Sequence, residues 1–411
     1  MTQHLGSFLI QLIIIIITSR VFGYFFKKIG QPTVMGEILA GIFLGPSILG
    51  TIFPEYLQAI FPPGSLDTMR ILSQIGLILF MFVVGMELDL DILKTKARTA
   101  VTISNASIII PFSLGVMLAY FLHDYYAPKD VPFYAFALFM GIAMSITAFP
   151  VLARIIRERS LRDKRIEAIA MTSAAINDVT GWVALAFVIA IIKAHSFSNS
   201  VYTLLATVGY MIAMVFIVRP LMNKLAKAKE NNFVKQSTVA IIFIVMLLSS
   251  LCTELIGVHA LFGAFMAGVI MPQEWHFRQI ITDKVEDVAL ILLLPLFFVI
   301  TGLRTHINTV NTPILWAVTL LIIAIAVLGK LGGSAVAAKM TGENNYNSLS
   351  IGVLMNTRGL MELVILNIGY DLNILSEEIF TMMVIMALVT TFMTSPLLSL
   401  LDKYYHQKAA S

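Results

Sequence analysis

Residues 165–193 read RIEAIAMTSAAINDVTGWVALAFVIAIIK, and the fold turns on how this stretch is understood. Arg165 and Glu167 mark one end with charge, and Lys193 marks the other. Between them the span 166–193 is apolar or small apart from Asn177 and Asp178. A bilayer core of about 30 Å needs roughly 20 helical residues, so this run can cross one. At ~1.5 Å per residue, Asp178 lies about 17 Å from the basic end, close to mid-membrane. A carboxylate at that depth is costly unless it is protonated, paired or bound to a cation. Such carboxylates mark ion or proton pathways; the competing reading is a structural salt bridge inside a helix bundle.

The rest of the chain supports a membrane setting. Of 411 residues, 58% are hydrophobic and only 13% charged, and the mean hydropathy is +0.88. That composition excludes an ordinary soluble domain. Apolar runs fall at about 5–26, 34–53, 70–88, 99–122, 132–154, 166–193, 200–219, 236–256, 258–272, 285–303, 312–338, 347–370 and 378–401. The expectation is an all-α polytopic membrane protein with about 13 transmembrane helices. The ninth run is short and reads as tilted or partly re-entrant. The first lacks a basic leader and a small-residue cleavage site, so it reads as a span rather than a signal. The single cysteine, Cys252, excludes an internal disulfide and any multi-thiolate metal site.

Charge alternates from loop to loop. Lys27, Lys28, Lys94, Lys96, Arg98, the cluster from Arg154 to Arg165, the cluster from Arg219 to Lys235, Arg278, Lys284, Lys339, Lys403 and Lys408 fall on one side. These are about 21 of the 28 basic residues, against Arg70, Lys129, Lys193 and Arg304 on the other. The positive-inside rule makes the heavy side cytoplasmic, with the N-terminus outside and the C-terminus inside, in an inner or plasma membrane. Arg20, Lys330 and Arg358 fall within spans. Arg20 is close enough to the inner surface to snorkel and receives no function. The net charge of +4 is confined to these loops and does not imply nucleic acid.

The two halves echo each other. AGIFLGP (40–46) resembles AGVIMP (267–272), and LILFMFVVGMELD (77–89) resembles LLLPLFFVITGLRT (292–305). GIAMSITAFP (141–150) matches GVLMNTRGLM (352–361) in position and in its polar mid-span break. Six spans, one linking span and six more would place the second half upside down, the inverted-topology repeat of secondary transporters. The expected organisation is one transmembrane domain over 1–411, without a cytosolic regulatory domain. Repeat one covers about 5–193, the linking helix about 200–219 and repeat two about 236–401. Pro150 removes a helix donor in the first break, where Ser145 and Thr147 can satisfy freed backbone groups; an ordinary proline kink is the plainer alternative. Gly359 follows a polar triplet in the second. Half-helix ends carry partial charges, so paired breaks point to a binding site.

Seven segments together resemble the monovalent cation:proton antiporter-2 family, most closely its cation/proton exchanger branch: QPTVMGEILAGIFLGPSILG (31–50), IGLILFMFVVGMELD (75–89), SITAFPVLAR (145–154), AINDVTGW (175–182), VHALFGAFMAGVIMP (258–272), LLLPLFFVITGLRT (292–305) and NTRGLMELVILNIG (356–369). The resemblance covers nearly all of the chain. It implies a dimerisation domain, a core domain with crossed discontinuous helices, an elevator-like motion of that core and a homodimer. Residue by residue, it makes Asp178 the ion-binding aspartate and places Asn177 where electrogenic members carry a second aspartate. It also aligns Thr147 with the first broken helix, Lys330 with a lysine that approaches the acidic pair, Arg358 and Glu362 with charges of the second broken helix, and Glu37 with the glutamate of an early GE motif.

Several roles stay open at this level. Arg358 and Glu362, spaced i,i+4, can form a local structural salt bridge. Lys330 can neutralise unwound backbone or carry a proton. Glu37, near the cytoplasmic end of its span, suits gating or structure better than ion binding. Glu254 and His259 flank a turn near the outer face, where a solvated histidine is the simpler reading. The expected mechanism is competitive: Asp178 holds either a proton or a desolvated monovalent cation, K+ or Na+, with carbonyls and hydroxyls as further ligands and no cofactor. With Asn177 beside it, one carboxylate exchanging one proton for one cation moves no net charge, which implies electroneutral 1:1 antiport. A cation channel would need a filter-like loop that is not seen, and coupling to a different ion remains an alternative. An intramembrane enzyme would need a motif such as HExxH, GxSxG or Walker A, and none is present.

Overall fold

The computed structural model describes residues 2–87, 97–159, 164–193, 197–227, 236–272 and 274–410. Lys94, Lys96 and the parts of the basic clusters at 160–163 and 228–235 lie outside the described residues. Among those described there are helices and no strands. In chain order they are α1 (Thr2–Lys28), α2 (Thr33–Leu44), α3 (Pro63–Glu87), α4 (Ala97–Tyr126), α5 (Phe133–Ser145), α6 (Phe149–Arg159), α7 (Lys164–Lys193) and α8 (Phe197–Ala213). A π-helical turn, Met214–Val218, joins α8 to α9 (Arg219–Lys227). Then follow α10 (Gln236–Ile256), α11 (Ala260–Val269) and α12 (Trp275–Asp287), the last joined by the π turn Val288–Leu293 to α13 (Leu294–Arg304). The C-terminal part holds α14 (Pro313–Val327), the π turn Leu328–Gly332, α15 (Gly333–Met340), α16 (Asn345–Met355), α17 (Leu360–Asp371) and α18 (Glu377–Ala410). Short helices Leu49–Ile52 and Pro54–Ile60 lie between α2 and α3.

Each of the thirteen apolar runs contains helix among the described residues. Among the described residues, eleven helical stretches are long and apolar enough to cross a bilayer, and the pair α16 and α17, bent by 41°, brings the number to 12. The run at 258–272 supplies the difference. It yields α11, whose 10 residues span only about 15 Å, half of a bilayer core. A helix in lipid must satisfy its backbone internally, and the sequence spends its apolar residues accordingly. Leu9, Ile13, Ile17 and Val21 stand exposed on one side of α1, a surface suited to acyl chains.

The helices divide into two compact units. One comprises Met1–Pro63, Asp91–Gly181 and Phe298–Ser411. Its interior is formed by α5, α16 and α17, with every residue from Leu360 to Gly369 buried. In it, α2 crosses residues 298–304 of α13 at closest approach: a Cβ on Gly302 would stand 2.0 Å from the Gly41 carbonyl oxygen, and one on Gly41 would stand 2.1 Å from that of Phe298. Ser47 fastens the end of this crossing, donating to the Thr305 carbonyl at 2.5 Å and accepting from the Ile307 amide at 2.9 Å.

The other unit comprises Gly64–Leu90 and Trp182–Phe297. Here α3 crosses α11 in the same manner, with a Cβ on Gly268 falling 2.2 Å from the Phe82 oxygen and one on Gly85 falling 2.3 Å from that of Phe265. Trp182 stacks on Phe265 with ring centroids 6.2 Å apart. The Tyr210 hydroxyl meets that of Ser249 at 2.5 Å, and Ser249 in turn donates to the Gly263 carbonyl at 2.6 Å. Glu254 and His259 do more here than flank a turn. Glu254 accepts the Ala260 amide at 2.9 Å and His259 the Leu261 amide at 3.4 Å, so both cap the first turn of α11.

Candidate functional site

Two helices in the first unit are interrupted, and each interruption has a local cause. Helix α5 stops at Ser145, Ile146 is extended (φ −82°, ψ 136°), and α6 begins at Phe149. Pro150 is the second residue of α6, where its missing N–H costs nothing because first-turn amides have no intrahelical partner. It therefore opens α6 rather than kinking α5. Helix α16 stops at Met355 and α17 begins at Leu360. Gly359 between them has φ 148° and ψ −131°, a conformation open to glycine alone.

The interruptions bind one another. The Ala148 amide donates to the Thr357 carbonyl at 3.1 Å, and the Thr147 hydroxyl donates to the Met355 carbonyl at 3.2 Å. Asn177 of α7 braces the same place: its Oδ1 accepts the Thr147 amide at 2.9 Å, and its Nδ2 donates to Ser107 Oγ on α4 at 3.0 Å. Thus Asn177, Thr147, Arg358 and the backbone of both breaks form one network.

Two cations close the end of α5. Arg358 donates from Nη1 to the Ala143 carbonyl at 3.0 Å and from Nη2 to the Met144 carbonyl at 2.6 Å. Lys330 donates to the Ser145 carbonyl and, at 2.9 Å, to the Ser107 carbonyl. The last three carbonyls of α5, at the negative end of its dipole, thereby receive side-chain donors. Lys330 sits in the π turn Leu328–Gly332, a distortion that often accompanies functional positions. Glu362, in the first turn of α17, accepts from Arg358 Nη1 at 3.0 Å with both side chains buried. The i,i+4 spacing forms the ion pair that the sequence allowed. Arg358 also reaches across to α5, so the pair is more than a local bridge.

Asp178 is fully buried, and neither carboxylate oxygen has a hydrogen-bond partner among the described residues. Its neighbour Asn177 is bonded on both sides. Lys330 directs its hydrogen bonds to carbonyls, as the backbone-neutralising reading of the sequence allowed, and makes no hydrogen bond to Asp178 among the described residues. The chemistry of such a carboxylate suits a proton or a small cation: each would satisfy charge and lone pairs that no fixed donor satisfies.

Glu37 lies on α2, 6% exposed, and pairs with Arg20 Nη1 at 3.7 Å. Arg20, passed over in the sequence, is thus the counter-charge of the GE-motif glutamate. Sequence reading also missed the threonines of TTFMTS on α18. Thr391 Oγ1 accepts the Arg358 amide at 3.2 Å, the Thr394 and Thr357 hydroxyls lie 3.4 Å apart, and the Thr390 carbonyl accepts from Asn356 at 3.5 Å. Three small hydroxyls in a late apolar helix were the available signal. Arg165 donates to Glu343 Oε1 at 2.7 Å and ties the start of α7 to the residue preceding the α16 cap. No cluster of three or more His, Cys, Asp or Glu occurs among the described residues.

Residues 13–400 match the family model described as sodium/hydrogen exchanger, transmembrane. The chain is 40% identical over 398 residues to Na(+)/H(+) antiporter NhaS4 of Synechocystis sp., covering 96% of this chain and 97% of that one. It is also 40% identical over 397 residues to Cation/H(+) antiporter 19 of Arabidopsis thaliana, covering 96% of this chain and 49% of that protein, about half its length. In fold it resembles the sodium proton antiporter MjNhaP1 from Methanocaldococcus jannaschii, with a TM-score of 0.71, 15% identity and coverage of 96% of both chains. The match reaches end to end through both interrupted helices and the Asn177–Asp178 helix: this chain belongs to the sodium/hydrogen exchanger family, a family of transmembrane transporters rather than enzymes.

Proposed function

We propose that this protein exchanges a monovalent cation, K+ or Na+, for a proton across the membrane, with Asp178 as the single group that the two ions occupy in turn. One observation carries the reading: a fully buried carboxylate, without a hydrogen-bond partner among the described residues, stands beside the crossing of two interrupted helices. Proton and cation each neutralise it, and an empty ionised Asp178 would resist exposure to lipid. Asn177 carries no charge and is committed to Thr147 and Ser107, so one proton exchanges for one cation without net charge movement. The names of the relatives, antiporters of Na+ or of cations, support the class of exchange.

The remaining parts of the reading rest on the charge pattern and the family resemblance. Loop basicity supports a cytoplasmic C-terminus and an external N-terminus in an inner or plasma membrane. An elevator-like core and a homodimer follow the family. Thr147 would line the ion's position, Lys330, Arg358 and Glu362 would balance charge around it, and Glu37 would serve gating or structure. The proposed inverted repeat gains support from the two glycine crossings. Gly41 and Gly268 occupy the same place in the AGI and AGV echoes, and each meets a glycine of the other echoed motif.

Purified protein in liposomes tests the exchange. Dye-reported proton flux is driven by K+ or Na+ gradients, with the membrane voltage clamped or free. Cation-driven proton movement that survives voltage collapse and vanishes in Asp178→Asn supports electroneutral exchange at Asp178. Folded wild-type protein without any cation-dependent proton flux would sink it.

A further inference from the structure

Three buried serines lie one helical turn from the hydrogen-bonded trio Ser107, Asn177 and Lys330. Ser104 precedes Ser107 by three residues on α4, Ser173 precedes Asn177 by four on α7, and Ser334 follows Lys330 by four on α15. Residues three or four apart share a helix face, so each serine lies one turn from its trio member on the same face. All three are 0% exposed, and none of their hydroxyls has a hydrogen-bond partner among the described residues.

Direction adds to this. Helices α4 and α7 run from Ala97 and Lys164 toward the trio, whereas α15 runs from it toward Met340. Gly329 packs against Pro111 and Gly333 against Ile110, so α4 and the Lys330 helix are antiparallel. Arg165, at the start of α7, bonds Glu343 just beyond α15. Ser104, Ser173 and Ser334 therefore all stand on one side of the trio, toward the ends at Ala97, Lys164 and Met340. Helical serines and threonines usually donate back to their own helix. Thr172 does so to Ala168 at 2.7 Å and Ser145 to Gly141 at 2.6 Å. These three do not, although an unpaired buried hydroxyl is destabilising.

We propose that Ser104, Ser173 and Ser334 form a second, neutral coordination site. There a monovalent cation exchanges hydration water for hydroxyl oxygens between Asp178 and the face bearing the Ala97, Lys164 and Met340 ends. The inference rests on the antiport reading above. Three neutral oxygens suit a transit site, which must hold an ion firmly enough to admit it and weakly enough to release it. A divalent cation would require carboxylates that the site lacks.

Alanine at all three positions, S104A/S173A/S334A, tests this in proteoliposomes by uptake of radioactive sodium and rubidium. The expected result is exchange slowed by about tenfold or more, a smaller slowing in each single variant, and an altered preference among Li+, Na+, K+ and Rb+. The melting temperature should hold or rise, because alanine removes an unsatisfied buried group. Stabilisation of the detergent-solubilised protein by cations should persist in the triple variant and be lost in Asp178→Asn. Triple-alanine protein exchanging at the wild-type rate with the wild-type ion preference would overturn the proposal. Should the triple variant fail to fold, wild-type rates in all three single variants would do the same. Absence of exchange in wild-type protein would instead strike the antiport reading itself.

Discussion

Asn177 Oδ1 accepts the backbone amide of Thr147 at 2.9 Å, while its Nδ2 reaches Ser107 at 3.0 Å. An aspartate at 177 would keep the first bond and lose the second, because a carboxylate has no N–H to give. It would also set a new negative charge near the carbonyls that hold Lys330. Asn177→Asp is expected to make exchange voltage-sensitive, by up to about 2.3 kcal/mol per charge per 100 mV. Proton flux measured at clamped potentials checks this, and a flat voltage response would contradict the stoichiometry.

Asp178→Asn removes a buried carboxylate that no donor among the described residues satisfies. Exchange should vanish while the melting temperature stays level or rises, a separation of activity from stability seen where a site is kept at a cost. Differential scanning fluorimetry alongside flux measurement decides it; a destabilised Asp178→Asn would mean that the carboxylate has a structural partner.

Arg358 and Glu362 should be strongly coupled. Arg358→Met strands Glu362 in the interior and uncaps α5, a loss of about 3–5 kcal/mol for a broken buried pair. The double variant Arg358→Met with Glu362→Met should cost less than Arg358→Met alone, since no orphaned charge remains. Unfolding midpoints of the two singles and the double give the coupling; strict additivity would refute it.

Arg165 and Glu343 offer a contrast. Arg165 is largely solvent-exposed, and Glu343 also accepts from Asn347 at 3.0 Å. Arg165→Gln should change stability by no more than about 1 kcal/mol, with less effect in high salt. A loss comparable to that of Arg358→Met, read by the same unfolding assay, would show that this pair anchors the fold.

Gly359 stands at φ 148° with Val151 Cγ2 3.0 Å from where a Cβ would lie. Gly359→Ala should cost about 1–3 kcal/mol of backbone strain and slow exchange. Unfolding and flux assays on the same preparation test it, and wild-type behaviour in both would show that the break relaxes elsewhere.

Much of this was legible in the chain because membranes constrain sequence so heavily. Helix runs, both interruptions and the charged residues Asp178, Lys330, Arg358 and Glu362 stand out against an apolar background. What was hidden depended on long-range approach. Lys330 could be read as neutralising unwound backbone, but nothing near it announces that the carbonyls would be those of Ser107 and Ser145, more than a hundred residues away. Arg20 looked like an end-of-helix cation until α1 met α2 at Glu37. Thr390, Thr391 and Thr394 read as ordinary small residues because their partners lie in the second interruption. The 258–272 run looked like a span because hydropathy counts Val258, Ile270 and Met271, whereas helix geometry ends α11 at Val269.

Broken helices are readily imagined as joints, yet amides in both interruptions are hydrogen-bonded to other parts of the chain. Thr147 N–H is fixed by Asn177, Ala148 N–H by Thr357 and Arg358 N–H by Thr391. Each clasp comes from a different stretch of chain, so bending either interruption would tear bonds to the other and to α7 or α18. Such bonding favours a crossing that moves as one cast part over one that pivots. Amide deuteration at Thr147, Ala148 and Arg358 should accordingly be as slow as in the middle of α17, and any flexing during the proposed exchange is expected away from the proposed ion position.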